Sequence, residues 1–389
     1  MLIPISWLKD YVDITMSAQE LADMLTIAGL EVESIDYIGI PGGNDKNRLV
    51  WDRDRILVGH ILKVEPHPNA DKLVLATVEY GGDETEITVT GAPNLFPYLG
   101  QGDISALNLY SPFAMEGAEL YDGHKEGQVK AKLKSDGRYA ASTIAACCVQ
   151  KKSSVSATIT TASSSLAGDY TPGTPLQDVL GDAILSIDII PNIARCASIL
   201  GVAREVAALT GQPLRPPATK WSWTARRPPV KVVITSEEPE INPRFTALII
   251  SGVEQKASPA WMQHRLRLAG QRPLNVVVDI SNYVMLEMGE PNHTFDYDFL
   301  RQRADSYNSR TAPIHLITRL PQPGETVTTL DGVQRELPES TILVTDPAGP
   351  LSLSGIMGGE ERDSAHYHQR FAGSGRLGFS STSAAAPPS

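Results

Sequence analysis

Five polar residues gather at the end of an apolar run between Pro273 and Asp296, PLNVVVDISNYVMLEMGEPNHTFD: Asn282, Glu290, Asn292, His293 and Asp296. A buried strand or helix that delivers such side chains to one end is a common way to build a pocket, and an imidazole there is a candidate catalyst. A lone histidine near Pro291 and Phe295 is more often structural than catalytic. What raises the functional reading is the company it keeps in the rest of the chain.

A second constellation is LSLSGIMGGE, residues 351–360. Gly355, Gly358 and Gly359 have no Cβ, so backbone N–H groups there can approach a ligand, although the same string reads as a glycine-rich turn. A third is HPNADKL, residues 67–73, where Pro66 and Pro68 hold the chain extended and Asn69 and Asp71 close a turn. The lysines placed to meet phosphates are Lys63, Lys72, Lys125, Lys130, Lys132 and Lys134; taken alone they read equally as solvated surface.

The chain has 389 residues and 42% hydrophobic content, which suits a soluble protein of two to four domains. No run approaches a membrane span, and the N-terminus, MLIPISWLKDYVD, lacks the pattern of a secretory leader. Three cysteines, Cys147, Cys148 and Cys196, form neither a disulfide framework nor a zinc site, so the expected compartment is the cytosol and Cys196 is assigned a structural role. The net charge of −11 excludes a chain that is basic throughout; contact with RNA needs a local positive patch.

The elements that must position these residues follow from pattern. Residues 1–38 read as a small αβ unit: a short helix at Ser6–Tyr11, a capping box Ser17-x-x-Glu20, a helix stopping at Gly29, then an alternating strand from Leu30. Residues 56–95 read as short strands between Gly, Asp and Pro turns, a small β-barrel pattern. Ile184–Ile190 reads as a strand, and Ser198–Leu209 as an amphipathic helix ended by Gly211 and Pro213. Ser258-Pro259 reads as the capped start of a further helix, with proline in its first turn.

VGHILKVEPHPNADKL and TGAPNL resemble the tRNA-binding OB-type domain found in several aminoacyl-tRNA synthetases and free-standing tRNA-binding proteins. GVAREVAALTG, DISNYVMLEMGEPNHTFD, TTLDG and LSLSGIMGGE resemble, in family order, the bacterial phenylalanyl-tRNA synthetase beta subunit. The resemblance implies an α+β multidomain chain: an αβ packing unit at 1–38, an OB-type barrel at 39–134 that binds tRNA by shape, a packing domain at 169–218 and an editing domain at 230–361. It carries the editing pocket, which hydrolyses tyrosine wrongly esterified to phenylalanine tRNA, onto Asn282, His293, Ser354 and Gly355. It carries tRNA contact onto Lys63, His67, Asn69, Lys72, Lys130, Lys132 and Lys134. His293 would orient the water or the terminal ribose. The family has Ala-Gly where this chain has Ser354-Gly355, a change that narrows the pocket or adds a hydrogen bond.

The resemblance further implies phenylalanine tRNA and a synthetase alpha subunit as partners, in an α2β2 assembly; the region that pairs with the alpha subunit is missing from the truncated chain, so that partner is expected to be lost. ATP and Mg²⁺ would serve at the alpha subunit, with no cofactor or metal in this chain and no role for DNA or membrane; no GxxxxGK[ST] string occurs. Other readings are a non-catalytic tRNA-binding module, a free-standing deacylase, and a β-rich scaffold for carbohydrate or protein.

Two stretches depart from the family. Residues 135–168, rich in Ser, Ala and Thr, accept codons whose shifted frame reads as family text, CSEKELGLSDDHDGVLLP, so a compensated frameshift is expected. Residues 362–389 lack the family's LLEAA-like strand, whose glutamate recognises the tyrosine hydroxyl. They read as a second frameshift and a tail without a fold of its own. The expectation is a truncated N-terminal portion with weak tyrosine discrimination, and one that is not competent alone for aminoacylation.

Overall fold

In a computed structural model, the described residues are 1–45, 47–82, 85–121, 129–133, 170–217, 232–251, 253–307, 313–360 and the backbone of 376–383. They fall into two units. The first comprises Met1–Ala194, Glu205–Leu214 and Pro259–Arg272; the second comprises Arg195–Arg204, Arg215–Ser258 and Pro273–Ser389. The expected frameshift segment at 135–168, with Cys147 and Cys148, lies outside the described residues, as do Lys125 and Lys134.

The first unit opens with strand β1 (Leu2–Pro4), helix α1 (Ile5–Leu8), helix α2 (Ala18–Ile27) and strand β2 (Val32–Ile38). α2 starts as the sequence predicts. The Ser17 hydroxyl accepts the Glu20 N–H at 3.2 Å, and the Glu20 carboxylate accepts the Ser17 N–H at 2.8 Å. It stops where Gly29 takes a φ of 97°, a left-handed conformation that favours glycine.

Strands β3 (Ile56–Pro66), β4 (Val74–Glu79), β5 (Thr85–Thr90) and β6 (Tyr110–Ala114) form an antiparallel sheet in the order β5-β4-β3-β6. β7 (Glu119–Tyr121) and β8 (Lys130–Lys132) pair as a separate ribbon. β3 serves two partners: Ile56–His60 pairs with β6, His60–Pro66 pairs with β4, and the register shifts between Ile61 and Lys63. That irregularity bends the strand between two apolar clusters, one around Ile56 and Val58, the other around Ile61, Val64 and Phe113. The expected antiparallel strands are therefore present. Among the described residues, however, β5 and β6 remain edges, so strand pairing does not close the expected barrel.

After α3 (Leu176–Leu180), strand β9 (Asp182–Ile187) pairs antiparallel with both β1 and β2, in the order β1-β9-β2. This corrects the division into packing domains at 1–38 and 169–218, because the two segments share one sheet. β1 has three residues and cannot satisfy β2 alone; the largely buried β9 supplies backbone partners to both. Asp182 at its start is buried, and its carboxylate accepts the Ser6 N–H at 3.0 Å, the Ser6 hydroxyl at 2.6 Å and the Ala183 N–H at 2.8 Å.

Helix α4 (Ile199–Thr210) begins where the Ser198 hydroxyl accepts the Gly201 N–H at 2.9 Å. Cys196 is fully buried. Helix α5 (Ala260–Leu268) differs from its expected start: Pro259 holds the cap position and no side chain caps the helix. The Ser258 hydroxyl donates instead to the buried Asp279.

In the second unit, β10 (Val232–Ser236) and β11 (Arg244–Ser251) precede helix α6 (Val276–Met288), strand β12 (Asn292–Asp296) and helix α7 (Tyr297–Tyr307). Strands β13 (Ile314–Arg319), β14 (Thr326–Thr328), β15 (Gln334–Glu336), β16 (Leu343–Asp346), β17 (Gly349–Leu353), β18 (Met357–Gly358) and β19 (Arg376–Ser383) follow. They form sheets ordered β10-β13-β16-β17-β18 and β11-β19-β12, with β14-β15 as a ribbon. α7 buries Tyr297, Leu300 and Ala304, and its Arg303 grips Asp346 of β16 with two bonds of 2.6 and 2.7 Å. The tail was predicted to have no fold, yet Arg376–Ser383 forms the middle strand of its sheet. The physical reason is that β11 and β12 are not paired to each other; β19 satisfies the facing backbone edges of both.

α6 is fixed at both ends. The Asn275 side chain accepts the N–H groups of Val277 and Val278 at 3.1 and 3.2 Å. Asp279, 1% exposed, accepts the Leu274 N–H at 2.8 Å as well as the Ser258 hydroxyl. Gly289, with φ 81°, ends the helix. Replacing Asp279 by Ala strands two donors and is expected to lower the stability of this unit by about 2–3 kcal/mol, read by denaturant unfolding.

His264 on α5 gives a pH test. Burial, then the charges of Arg267 and Arg265, push its imidazole down from 6.5 to about 4. The group is neutral in the fold while the unfolded chain takes up a proton. Its contribution is therefore complete above pH 6.5 and is lost as pH falls from about 6.5 to 4. The expected outcome is an unfolding temperature that drops over that window in the parent and drops less in His264→Gln.

Candidate functional site

A cavity of about 540 Å³ in the second unit is lined by α6, β12 and the turn from β17 into β18. All four residues expected to form an editing pocket meet there: Asn282 from α6, His293 from β12, and Ser354 and Gly355 from the turn. The sequence separates them widely; the hairpin of α6 and β12 and the returning β17 bring them together.

The imidazole of His293 is confined on two sides. It meets Phe295 edge-on, with ring centroids 4.7 Å apart. A Cβ at position 358 would lie 2.7 Å from His293 Cε1, so glycine is what allows the ring to sit there. Gly355 is required for a different reason: its φ is 70° at the tip of the turn. The Thr328–Gly332 loop contributes Leu330, whose N–H donates to the Gly358 carbonyl at 3.1 Å. Behind it, the buried Thr329 hydroxyl bonds Asp331 at 2.5 Å and accepts from Arg335 Nε at 2.9 Å, which holds the loop in place.

Three members of the opening polar cluster do other work. Asp296 accepts the N–H groups of Asp298 and Phe299 at 2.7 and 3.2 Å and so caps α7; burial pushes its carboxyl up. Glu290 lies exposed in the turn before β12. Asn292 lines the cavity, but its amide is bonded to α6. Sequence reading passed over Val278, Ser281 and Met285. Their spacing along α6, bracketing Asn282, is the signal that one helical face lines the cavity. Among the described lining residues none is Asp, Glu, Lys or Arg, and apolar side chains such as Leu274, Met285 and Ile356 form much of the wall. Such a wall receives an uncharged or apolar group, with a few polar atoms to orient it. No group of three or more His, Cys, Asp or Glu able to hold a metal occurs among the described residues.

The expected tRNA contacts lie in the first unit. HPNADKL forms the loop between β3 and β4, and TGAPNL runs beside it, with Gly91 facing the Lys72 carbonyl at 3.6 Å from its would-be Cβ. Asn69 and Lys72 are exposed, and His67 Nδ1 accepts the Asn69 N–H at 3.2 Å. Lys63 pairs with Glu65 at 2.7 Å and Lys130 with Glu119 at 3.9 Å; exposed pairs of this kind are weak and leave the ammonium groups open to competition. Lys130 and Lys132 sit on the β7-β8 ribbon rather than on the β3–β4 loop.

Two family models match the chain: "Putative tRNA binding domain" over residues 56–119, and "B3/4 domain" over residues 241–365, which spans the described cavity. A phenylalanine–tRNA ligase beta subunit of Moorella thermoacetica is 38% identical over 361 residues, covering 92% of this chain and 40% of that protein. Those of Protochlamydia amoebophila and Thermosynechococcus vestitus are 34% and 36% identical, each covering 93% of this chain and 41% of the relative. The chain thus spans about 40% of the length of the curated relatives it matches. A solved N-terminal fragment of the Pyrococcus horikoshii phenylalanyl-tRNA synthetase beta subunit is 15% identical and covers 52% of this chain and 56% of its own. Its TM-score of 0.29 is too low to establish a common fold. No helix among the described residues is long and apolar enough to cross a membrane. Over 92% of its length, the chain is homologous to phenylalanine–tRNA ligase beta subunits, and within that span it carries matches to a tRNA-binding domain and a B3/4 domain.

Proposed function

We propose that this chain forms the tRNA-binding and editing portion of a phenylalanine–tRNA ligase beta subunit in the cytosol. In this reading it supports the ATP- and Mg²⁺-dependent charging carried out at an alpha subunit. Its own chemistry is hydrolysis of a wrongly attached amino acid from phenylalanine tRNA. The observation that carries the reading is the meeting of Asn282, His293, Ser354 and Gly355 in one cavity within the B3/4 match.

The reaction asks little of the site beyond placement. A water oxygen bonds to the acyl carbon, the bond from that carbon to the ribose oxygen breaks, and the proton lost by water ends on the ribose oxygen. The products are the free amino acid and a tRNA with a free terminal hydroxyl. His293, held by Phe295 and the bare Gly358, is suited to orient the water or the ribose. Asn282 offers both a donor and an acceptor to the ester. Within the turn, the Ser354 and Ile356 N–H groups donate to the Ile342 and Leu353 carbonyls at 2.9 and 3.1 Å, and the Gly355 N–H is suited to the negative charge that develops on the acyl oxygen.

Selectivity should be weak. A site that strongly prefers tyrosine to phenylalanine needs a buried partner for the hydroxyl. The glutamate that the resemblance supplies as that partner has no counterpart among the described lining residues, and the strand beside β12, Arg376–Ser383, contains no Asp or Glu. With the full chain, tyrosyl and phenylalanyl esters of the same tRNA are expected to be hydrolysed at rates within about fivefold, whereas a difference above about a hundredfold contradicts this. His293→Ala is expected to slow hydrolysis of the tyrosyl ester by about 10²-fold in single-turnover deacylation. An unchanged rate removes His293 from the reaction.

A further inference from the structure

We infer that Ser281 and Asn292 act as a pair of positioning residues that sets the distance between Asn282 and His293, an inference that rests on the hydrolytic reading of the cavity. Each is the chain neighbour of a site residue, and each reaches across to the other. The Ser281 hydroxyl donates toward Asn292 Oδ1 at 2.8 Å and toward the Asn292 carbonyl at 3.1 Å. In return, Asn292 Nδ2 donates to the Ser281 carbonyl at 3.1 Å and to the Glu290 carbonyl at 3.4 Å.

The orientation of this amide is dictated by its surroundings. Turning it over would set Oδ1 against two backbone carbonyls, neither of which can donate. In the orientation present, both N–H groups and the oxygen of Asn292 have partners. Both residues line the cavity, yet their polar atoms are spent on each other. What they give the site is geometry. The contact closes a hairpin whose turn is set by Gly289, and it couples helix to strand at the step before Asn282 and His293 diverge into the cavity.

Phe295 and Gly358 bound the imidazole, and strand pairing fixes β12 against β19; the Ser281–Asn292 bonds tie that strand to α6. A displacement of about 1 Å between reacting groups costs about 10²-fold in rate, so a contact of this kind is felt in catalysis.

The test uses the full chain in single-turnover hydrolysis of the tyrosyl ester over a range of enzyme concentrations. Ser281→Ala and Asn292→Leu are expected to lower the maximal rate about 10- to 100-fold with half-saturation changed less than about twofold. Ser281→Thr, which keeps the hydroxyl, is expected to restore the rate. The double variant is expected to be no worse than the worse single one, because the two residues form one contact. Additive losses, a change confined to half-saturation, or no loss overturns the proposal. A second readout separates it from the hydrolytic reading: the imidazole ¹⁵N signals of His293, assigned with His293→Gln. If the parent hydrolyses nothing, the hydrolytic reading fails. The positioning claim is then decided by these signals, which shift or broaden in Ser281→Ala and recover in Ser281→Thr if the pair holds the ring. Signals unchanged in Ser281→Ala overturn it.

Discussion

Everything the cavity presents depends on where α6 begins and where it stops. Its start is fixed by a buried carboxylate, Asp279, which gathers the Leu274 N–H and the Ser258 hydroxyl, and by Asn275, which covers two free N–H groups of the first turn. Its end is fixed by a glycine in a left-handed conformation. Between these points one face of the helix carries Val278, Ser281, Asn282 and Met285 along the cavity wall. A slip of one residue would rotate that face by about 100° and take Asn282 out of the cavity.

The same economy runs through the rest of the second unit. None of the described cavity-lining residues is Asp, Glu, Lys or Arg, so the wall offers shape and a small number of oriented polar atoms rather than a field. The charges of this unit are used in anchors around it. Arg303 holds Asp346, and Arg319 holds Glu325 with two bonds of 2.7 Å, lowering the Glu325 carboxyl. In the first unit the problem is reversed. With a net charge of −11 on the chain, any contact with a polyanion must be local; Lys72 is exposed on the loop from His67 to Leu73, and Lys63 lies on β3, paired with Glu65.

Much of this was legible in the sequence because the signals are local. The Ser17-x-x-Glu20 box, the Gly29 stop, the loop at 67–73 and the α4 helix each follow from a few adjacent residues. The four pocket residues came from motif resemblance, and the fold then brought them together. What stayed hidden depends on partners distant in the chain. Nothing near Leu2 announces that β9 will pair with it, and nothing near Ser258 announces that its hydroxyl will go to Asp279 rather than cap α5. The placing of Arg376–Ser383 between β11 and β12 was hidden for the same reason. Its polar sequence carries little strand signal, and the open edges it fills are formed by segments far earlier in the chain.

The central claim is that the acyl group of an aminoacyl-tRNA is held between α6 and the Ser354–Gly358 turn. The most direct measurement is a crystal structure of the chain with a non-hydrolysable tyrosyl-adenosine amide. The account predicts density for the tyrosyl group inside the cavity, with the amide within hydrogen-bond distance of Asn282 or His293 and of a backbone N–H in the turn. Density for the analogue elsewhere, with the cavity holding only solvent at saturating analogue, would contradict it.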